Sequence, residues 1–473
     1  MKVRTHKTKI ICTIGPASHR LETMKQMIEA GMDVARLNFS HGSYDDHARV
    51  IGELRAASGL SGRPLTIMAD LPGPKLRIGQ LAREPLELES GDSLILTTGD
   101  SKGEAGKIPV AFPRLPEVVK IGDIVYLNDG FIQLQVTAIR EQDVICTVLV
   151  GGELRSRKGL NLPGLDLGIK AFTQQDSLWL RFASEQGLDA VSQSFVEDAS
   201  DIEDLRRAAD GLGYHPFIIA KIERAGALRQ IEAILEAADG IMIARGDLGV
   251  ETPIEEIALV QKDLTRRANR IGKPIITATQ MLRTMTDSRR PTRAEATDVA
   301  NAVLDGTDCV MLSEESSIGK YPVEATAMLG KIAAAAETRR PLKRVEEIFG
   351  QPDPSEIWLP VHLINRSAET CLRYGRFAAV FVPTHSGASA RSLARFRLPV
   401  WVVGISRFPA TCRQLQFSYG VFPIYKPEDT EDWKGFIKTW LNSQGLNGNL
   451  ALLTEGPSSK HPEINHRLEI VEI

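Results

Sequence analysis

The sequence has few cysteines, few aromatic residues, almost no net charge and no long apolar run. Its five cysteines are scattered among 473 residues without a CxxC pair. This spacing argues against a disulfide framework or a zinc site and favours free thiols. No run approaches the roughly 18 apolar residues of a membrane span, and the apolar run near the N-terminus is too short for a signal peptide. We therefore expect a cytoplasmic protein.

The charge balance also limits the possible partners. A formal net charge of −3 and a pI near 6.4 argue against a nucleic acid or a membrane surface as the partner, although local basic pockets remain possible. Hydrophobic residues make up 43 % of the chain and charged residues 25 %, which is typical of a globular protein. The length predicts two or three domains.

Short apolar, β-branched runs alternate with amphipathic helical stretches, and most of the runs end in polar residues. Near-continuous apolar strands that alternate with helices predict a parallel sheet covered on both faces. Eight such strands predict a (β/α)₈ barrel, whose active site lies at the C-terminal ends of the strands. The eight runs are "KIICTIG", "DVARLNFSHG", "LTIMADLPG", "DAVSQSF", "FIIAKIER", "GIMIARGDLG", "PIITATQ" and "CVMLSEES".

Two regions break this alternation, and together they predict an α/β protein of three domains. Short strands with period-2 alternation and Gly/Asp turns over 71–169 predict a small β-barrel inserted as a lid after the third barrel strand. The catalytic barrel then comprises 1–70 and 170–340. A second α/β pattern predicts a C-terminal regulatory domain over 341–473.

The strand ends carry side chains suited to phosphate and metal. Lys221 and Glu223 alternate with Ile222, so both are predicted to point into the barrel. Asp247 follows another strand in a glycine-flanked turn, where free backbone N–H groups can receive a carboxylate or a phosphate. Two carboxylates completed by substrate oxygens are a ligand set that suits Mg²⁺. Arg36 is suited to bidentate phosphate binding.

The stretch "MADLPGPKLRIG" at 68–79 places Asp70 at a strand end and then Lys75 and Arg77 on a turn stiffened by prolines. Charges on a stiffened turn indicate a binding site for an anion. A migrating phosphoryl group needs cations on its equatorial oxygens, a bridging metal and the exclusion of water. Arg36, Arg77 and Lys221 could supply the cations, and the inserted domain could exclude water as a lid.

Six segments resemble pyruvate kinase, in the same order, over about residues 7–330. They are "ICTIGPAS", "ARLNFSHG", "AKIERAGA", "IARGDLGVE", "TATQML" and "RPTRAEATDVANAVLDGTDCVMLSEES". The resemblance implies transfer of a phosphoryl group from phosphoenolpyruvate to ADP, giving pyruvate and ATP, in the last step of glycolysis. It also implies dependence on Mg²⁺, with Mn²⁺ as an alternative ion, and a homotetramer.

The resemblance also implies roles for residues at matching positions. Arg36, Arg77 and Lys221 would contact the phosphoryl group, with Lys221 as the main stabiliser of the transition state. Glu223 and Asp247 would ligate Mg²⁺.

The remaining substrate and nucleotide positions follow in the same way. The backbone N–H groups of Gly246 and Asp247 would hold the substrate carboxylate, and Thr279 would lie beside the carbon that is protonated. The positions that match the nucleotide side of the site are Pro16, Asn38, His41, Arg77 and Lys158.

The sequence departs from the family at a monovalent-cation site. Many members need K⁺, held by groups that match Asn38, Ser40, Asp70 and Leu71, and they carry Thr-Lys-Gly-Pro-Glu after the aspartate. Here that segment is Leu-Pro-Gly-Pro-Lys, so Lys75 replaces a glutamate. We expect the Lys75 ammonium to lie beside Asp70 as a built-in cation, so that K⁺ is not required. The simpler interpretation is a solvated lysine on a turn.

The segment "FVPTHSGASARSLARFR" predicts a strand, a hydroxyl-rich turn and a helix that could bind an effector phosphate. The alternative is a plain serine-capped helix. In some members of the family this position binds a sugar bisphosphate, but the later loop "TEGPSSKHPEINHR" lacks their tryptophan-bearing segment. A phosphorylated sugar or a nucleotide with one phosphate is therefore the expected effector. The residues predicted to hold it are Thr384, Ser386, Gly387 and Ser389.

Two other functions are compatible with parts of the pattern. A catalytically silent sensor of phosphometabolites would keep the barrel but lose Lys221, Glu223 or Asp247, and all three are present. A Mg²⁺-dependent barrel lyase acting on a 2-oxo acid would lack the lid and the phosphate-facing arginines. Single residues also have simpler interpretations, since His41 and Thr279 could bond only to the backbone and Asp247 could only cap a helix.

Overall fold

The computed structural model describes residues 2–99, 106–340, 360–428, 430, 432–456 and 465–473. Eight parallel strands close into a barrel in the order β1-β16-β15-β14-β13-β12-β3-β2. All eight coincide with the predicted apolar runs, and the predicted (β/α)₈ barrel is confirmed. The strands are β1 (Lys9–Thr13), β2 (Met32–Asn38), β3 (Thr66–Leu71), β12 (Ala190–Gln193), β13 (Phe217–Ile222), β14 (Gly240–Ala244), β15 (Ile275–Ala278) and β16 (Cys309–Leu312).

The helices around the barrel bury one face against these strands, and four of them begin at a capping box. Ser43, Thr173, Asp198 and Thr292 each form a capping box with an acidic residue three positions later, which satisfies two otherwise unpaired backbone N–H groups. The helices are α1 (Leu21–Ala30), α2 (Tyr44–Ser61), α4 (Gln174–Glu185), α5 (Ala199–Asp210), α6 (Ala225–Arg229), α7 (Ile231–Ala237), α8 (Arg245–Glu251), α9 (Ile257–Ile271), α10 (Arg293–Asp305), α11 (Glu314–Ser317) and α12 (Pro322–Glu337).

The insertion after β3 has its own core and forms two sheets. A six-stranded sheet runs β11-β7-β8-β9-β5-β6, and β4 pairs with β10. The predicted small barrel closes only through isolated bridges, in which Arg77 pairs with Gly159 beside β11 and Ile78 pairs with Val110 beside β6. The elements are β4 (Leu86–Leu88), β5 (Ser93–Thr97), β6 (Lys107–Pro109), α3 (Leu115–Val118), β7 (Ile124–Leu127), β8 (Ile132–Arg140), β9 (Asp143–Val150), β10 (Gly152–Leu154) and β11 (Leu160–Asn161).

The C-terminal part is a five-stranded α/β sheet in the order β19-β18-β17-β20-β21. Neighbouring strands are parallel except for the antiparallel edge strand β21. No helix among the described residues has the length and apolar character to cross a membrane. The elements are α13 (Pro360–Tyr374), β17 (Phe377–Pro383), α14 (Ala388–Ala394), β18 (Trp401–Ser406), α15 (Pro409–Gln414), β19 (Val421–Tyr425), α16 (Trp433–Gln444), β20 (Leu450–Glu455) and β21 (Arg467–Glu472).

Arginines of the C-terminal part contact the barrel at the end opposite the strand C-termini. The barrel helices end there, so their unpaired carbonyls present partial negative charge. Arg395 donates to the carbonyl of Arg270 at 3.2 Å, and Arg397 donates to the carbonyl of Gly306 at 3.0 Å. Arg397 also forms a buried ion pair with Asp308, at 2.7 Å. Charge complementarity therefore fixes the C-terminal sheet against the barrel.

Loss of this buried pair should destabilise the folded chain strongly. We expect Arg397→Met to lower stability by about 3–5 kcal/mol, because removing one partner leaves Asp308 as a buried, uncompensated charge. Thermal denaturation followed by circular dichroism measures the effect. Lys320→Met is the matched control, since its ion pair with Asp287 is exposed and its loss should be undetectable. Equal melting curves for the two variants would contradict the prediction.

Candidate active site

A buried carboxylate, Asp70, lies at the centre of the polar strand ends. It is the penultimate residue of β3. The adjacent strand β2 contributes Arg36, and β13, two strands away on the other side, contributes Lys221. Arg36 donates twice to Asp70 Oδ2, through Nε at 3.0 Å and through Nη2. The Lys221 Nζ lies 3.3 Å from Asp70 Oδ1. The structure therefore brings these two predicted phosphate-binding cations together on one carboxylate.

The charges within this cluster stabilise one another. Burial would raise the pKa of Asp70, but the charges of Arg36 and Lys221 and a hydrogen bond from Ser192 outweigh it, so this pKa is lowered. Burial would lower the pKa of Lys221, but the charges of Asp70 and Glu223 outweigh it, so that pKa is raised. Lys221 therefore remains a cation at neutral pH although it is buried.

Three hydroxyl residues that the sequence analysis missed complete the cluster. Ser192 donates to Asp70 Oδ1 at 2.7 Å. Ser194 contacts Lys221 Nζ at 2.6 Å and donates to the carbonyl of Leu71 at 2.7 Å. Thr13 accepts a bond of 2.8 Å from Arg36. The polar end of "DAVSQSF" was the available signal, because β12 lies between β3 and β13 in the barrel.

The two predicted metal ligands lie on neighbouring strand ends. Glu223 Oε1 lies 3.0 Å from Lys221 Nζ, and its Oε2 accepts the Phe195 N–H at 2.8 Å. Burial raises the pKa of Glu223, and the charge of Asp247 raises it further, while Lys221 opposes both. Two neighbouring carboxylates, one of which raises the pKa of the other, fit a divalent cation. Among the described residues, no group of three or more His, Cys, Asp or Glu side chains is arranged for a metal, so substrate oxygens would have to complete this site.

The expectation that Lys75 lies beside Asp70 is wrong. Lys75 Nζ lies 2.9 Å from Asp247 Oδ1 and 3.9 Å from Asp129 Oδ1, and it lies 6.0 Å from the centre of the Phe195 ring. The physical reason is that Arg36, Lys221 and Ser192 already surround Asp70. Lys75 therefore neutralises one of the two predicted metal ligands instead.

Thr279 lies at the end of β15 in a rare backbone conformation. Its φ is +66°, and that of Gln280 is +54°; left-handed geometry costs an L-residue about 1–2 kcal/mol. The Thr279 hydroxyl accepts the N–H of Gly246 at 2.9 Å and donates to the carbonyl of Ala278 at 2.7 Å. The N–H predicted to hold a substrate carboxylate is therefore already bonded to Thr279.

Three of the four residues predicted for the monovalent-cation site, Asn38, Asp70 and Leu71, have acceptor oxygens that are engaged with the protein. Asn38 accepts the N–H of Ser40 at 3.1 Å, and the carbonyl of Leu71 accepts the bond from Ser194. Asp70 has the partners described above.

The predicted nucleotide residues lie on loops around the strand ends and on the lid. Pro16 and His41 are exposed in the loops after β1 and β2. Arg77 is exposed and donates to the carbonyl of Arg157 at 3.1 Å, and the carbonyl of Lys158 accepts the Ile78 N–H at 3.0 Å. The hydrogen bonds and ion pairs of the described residues do not connect Arg77 with the Asp70 cluster.

The predicted effector residues form a turn between β17 and α14. Gly387 has φ +81°, and its N–H donates to Thr384 Oγ1 at 3.0 Å. The carbonyl of Ser386 accepts a bond from Arg391 at 2.8 Å. The chain passes from β17 to β18 on one side and later returns from β19 to β20 on the other side of β17. Such switch points are common ligand sites in open α/β sheets. The later loop lacking a tryptophan lies largely outside the described residues.

Comparisons with known proteins agree with these observations. The pyruvate kinase barrel-domain family matches residues 5–326, and the pyruvate kinase alpha/beta-domain family matches residues 363–465. A pyruvate kinase of Thermococcus litoralis is 46 % identical over 431 residues, covering 91 % of this chain and 90 % of that one. Human pyruvate kinase PKLR is 41 % identical, covering 91 % of this chain and 77 % of that one.

A solved structure extends the similarity to the whole chain. A crystal structure of a pyruvate kinase from Cryptosporidium parvum superposes with a TM-score of 0.92 at 32 % identity, over 99 % of this chain and 96 % of that one. The resemblance stated from the six sequence segments is confirmed. The chain belongs to the pyruvate kinase family and is a phosphotransferase of that family.

Proposed function

We propose that the chain transfers the phosphoryl group of phosphoenolpyruvate to ADP, giving pyruvate and ATP. The observation that supports this most directly is the buried Asp70, which fixes Arg36 and Lys221 beside Glu223. Phosphoryl transfer is catalysed mainly by positioned positive charge, because charge spreads over the equatorial oxygens of the migrating group. Two preorganised cations in a water-poor site meet that requirement.

The residues of the chain have separate tasks in this reaction. Arg36 and Lys221 bind the oxygens of the phosphoryl group, and Lys221 stabilises the charge in transit. Glu223 and Asp247 would hold Mg²⁺, or Mn²⁺ in its place, and the bound ion would neutralise negative charge on the substrate oxygens. Lys75 contacts Oδ1 of Asp247, so a metal ion would use Oδ2 or displace Lys75 from Oδ1.

The substrate carboxylate and the carbon to be protonated lie on the other side of the site. The N–H groups of Gly246 and Asp247, in the first turn of α8, bind the carboxylate. The N–H of Gly246, which donates to the Thr279 hydroxyl in this structure, then donates to the substrate carboxylate as well or in place of that hydroxyl. Thr279 is placed to deliver a proton to the enolate carbon, directly or through water.

The three units of the chain divide the work. The barrel of residues 1–70 and 170–340 is catalytic, residues 71–169 form the lid, and residues 341–473 are regulatory. Arg77 and Lys158 on the lid approach the nucleotide when the lid is closed. The remaining nucleotide contacts are assigned to Pro16, Asn38 and His41. The family resemblance is the basis for proposing a homotetramer in the cytoplasm.

The alternatives are less well supported. A silent sensor would have lost charged residues that this chain keeps. Lys221 pairs with Glu223, and Asp247 lies close enough to raise the pKa of Glu223. A barrel lyase would need neither the lid sheets nor the doubly bonded Arg36.

Loss of the Lys221 charge should abolish most of the activity. We expect Lys221→Met to reduce kcat by about 10²–10³-fold, because one preorganised electrostatic donor is lost from the transition state. A coupled assay for pyruvate, started with phosphoenolpyruvate and ADP, measures the effect. Lys170→Met is the control, because its exposed side chain pairs only with Asp204. A folded Lys221→Met variant with wild-type kcat would contradict the proposed role.

We further propose that the enzyme does not require K⁺. Asn38 and the carbonyl of Leu71, which match a monovalent-cation site, already have protein partners, and two protein cations contact Asp70. Lys75 adds a third fixed positive charge at the same rim, on Asp247. A free monovalent cation would then bring charge that the protein already supplies.

Reversal of the charge at position 75 should create a need for a monovalent cation. We expect Lys75→Glu to be stimulated by K⁺ about tenfold or more, because the new carboxylate would face Asp129 and Asp247 without a counter-ion. Initial rates are compared in Na⁺- and K⁺-free buffer with and without added K⁺. Lys75→Met removes the charge without reversing it and should respond less. A tenfold stimulation of the unaltered enzyme would contradict the proposal.

An effector phosphate is proposed to bind at the turn between β17 and α14. Thr384, Ser386 and Ser389 offer hydroxyls, and the left-handed Gly387 turns its backbone back towards Thr384. The position of the turn at the switch point of the sheet supports a ligand there. The proposed ligand is a phosphorylated sugar or a nucleotide with one phosphate.

A titration should identify the class of effector. We expect glucose 6-phosphate, ribose 5-phosphate or AMP to lower the half-saturating concentration of phosphoenolpyruvate. Ser389→Asp should abolish the response, because a carboxylate would repel the phosphate. Ser443→Asp, on the distant helix α16, is the control. If all three compounds leave half-saturation unchanged, the effector proposal fails.

A further inference from the structure

The turn after β15 is held in a conformation that its sequence disfavours. Thr279 and Gln280 are consecutive non-glycine residues with φ of +66° and +54°. A β-branched residue with positive φ is a genuine outlier, and such strain persists only where surrounding contacts enforce it. The turn carries the hydroxyl that the proposed function places beside the reacting carbon, so the contacts that enforce it matter for the chemistry.

Arg245 supplies these contacts. Its Nε donates to the carbonyl of Ala278 at 3.2 Å, and its Nη2 donates to the carbonyl of Thr279 at 2.8 Å. One planar guanidinium thus bridges two consecutive carbonyls of the strained segment. A lysine ammonium has no such fork and could not bridge them with the same geometry.

The guanidinium is itself fixed from the opposite side. Arg245 Nη1 donates to Asp298 Oδ1 at 2.7 Å and to Gln261 Oε1 at 3.2 Å. These partners lie on α10 and α9, two helices of the barrel wall. The Arg245 side chain is only 13 % exposed, so its position is determined by the barrel and not by solvent.

The same contacts determine where the Thr279 hydroxyl lies. That hydroxyl donates to the carbonyl of Ala278, which is also the acceptor for Arg245 Nε. It accepts the N–H of Gly246, the residue that follows Arg245 in the chain. Loss of the Arg245 guanidinium would therefore free the turn that carries the Thr279 hydroxyl, while the backbone N–H of Gly246 stays in the first turn of α8.

We propose that Arg245 is a positioning residue that holds the 279–280 turn left-handed, so that the Thr279 hydroxyl faces the carbon to be protonated. Arg245 acts through Thr279 and does not itself contact the substrate. This inference rests on the proposed role of Thr279 in proton delivery.

The test separates proton transfer from substrate binding. Pyruvate is incubated with enzyme and Mg²⁺ in deuterated water, and NMR follows the exchange in which a methyl C–H bond breaks and a C–D bond forms with a deuteron from solvent. We expect Arg245→Met to reduce both kcat and the exchange rate by about 10–10²-fold, because even a small misplacement of the Thr279 hydroxyl would slow proton transfer. The KM for phosphoenolpyruvate should change by less than about twofold, because kcat-only effects mark interactions made in the transition state. Arg245→Lys should resemble Arg245→Met.

A second substitution tests the strain directly. Glycine adopts positive φ without steric cost. The double variant Arg245→Met/Gln280→Gly should therefore exchange at least about threefold faster than Arg245→Met alone. Arg206→Met is the matched control, because Arg206 also bonds a carbonyl and a carboxylate, Ala237 at 2.8 Å and Asp239 at 3.3 Å, but at the opposite end of the barrel. Its kcat and exchange rate should be unchanged.

If Arg245→Met does not fold, Asp298→Asn, which weakens the anchor of Arg245, should show the same pattern with a smaller loss.

Thr279→Ala distinguishes the two ways in which this inference can fail. If Thr279→Ala keeps the wild-type exchange rate, the proposed role of Thr279 is wrong, and the inference fails with it. If Thr279→Ala loses exchange while a folded Arg245→Met keeps kcat and exchange within twofold of wild type, only the role of Arg245 is overturned. Failure of Gln280→Gly to restore any exchange, or an equal loss in Arg206→Met, also overturns it.

Discussion

The ion cluster around Asp70 is the interaction on which the candidate active site depends. A buried carboxylate that accepts bonds from Arg36 and Ser192 and contacts Lys221 holds two cations in place without solvent. Without Asp70 these cations would repel each other in a medium of low dielectric constant. With it, the site is a preorganised region of positive charge, which is what a migrating phosphoryl group requires. The closed barrel makes this possible, because it aligns β2, β3 and β13 at one rim.

The two ends of the barrel differ in the sign of the charge that gathers there. At the rim formed by the strand C-termini, side-chain cations gather around buried carboxylates. At the other end, helix carbonyls accumulate partial negative charge, and Arg395 and Arg397 of the C-terminal part neutralise it. The direction of the helices therefore helps to hold the C-terminal sheet against the barrel. The turn after β17 is linked to this contact through α14, which carries Arg391 and immediately precedes Arg395.

The sequence predicted the strands well because a fully buried parallel strand is a local signal, an apolar β-branched run with polar residues at its end. It also predicted Lys221 and Glu223 on one face, since strand alternation is local. Contacts between strands were harder to predict. Lys75 was assigned to the wrong carboxylate because nothing local indicates that Asp70 is already saturated. Ser192 and Arg245 were missed because a single hydroxyl or guanidinium has no periodic pattern, and its role depends on which backbone groups lie across from it.

The observed partners of Lys75 connect the inserted domain to the predicted metal ligands. Lys75 contacts Asp247 on α8 and lies near Asp129 at the tip of the lid hairpin. At that tip Gly130 approaches Val250 of α8 so closely that an added Cβ would lie 3.1 Å from its side chain. A divalent cation at Asp247 would repel the Lys75 ammonium, and the contact between the insertion and the barrel would change if Lys75 moved. The proposed metal site and the insertion are therefore linked electrostatically through one carboxylate, whose Oδ1 Lys75 already occupies.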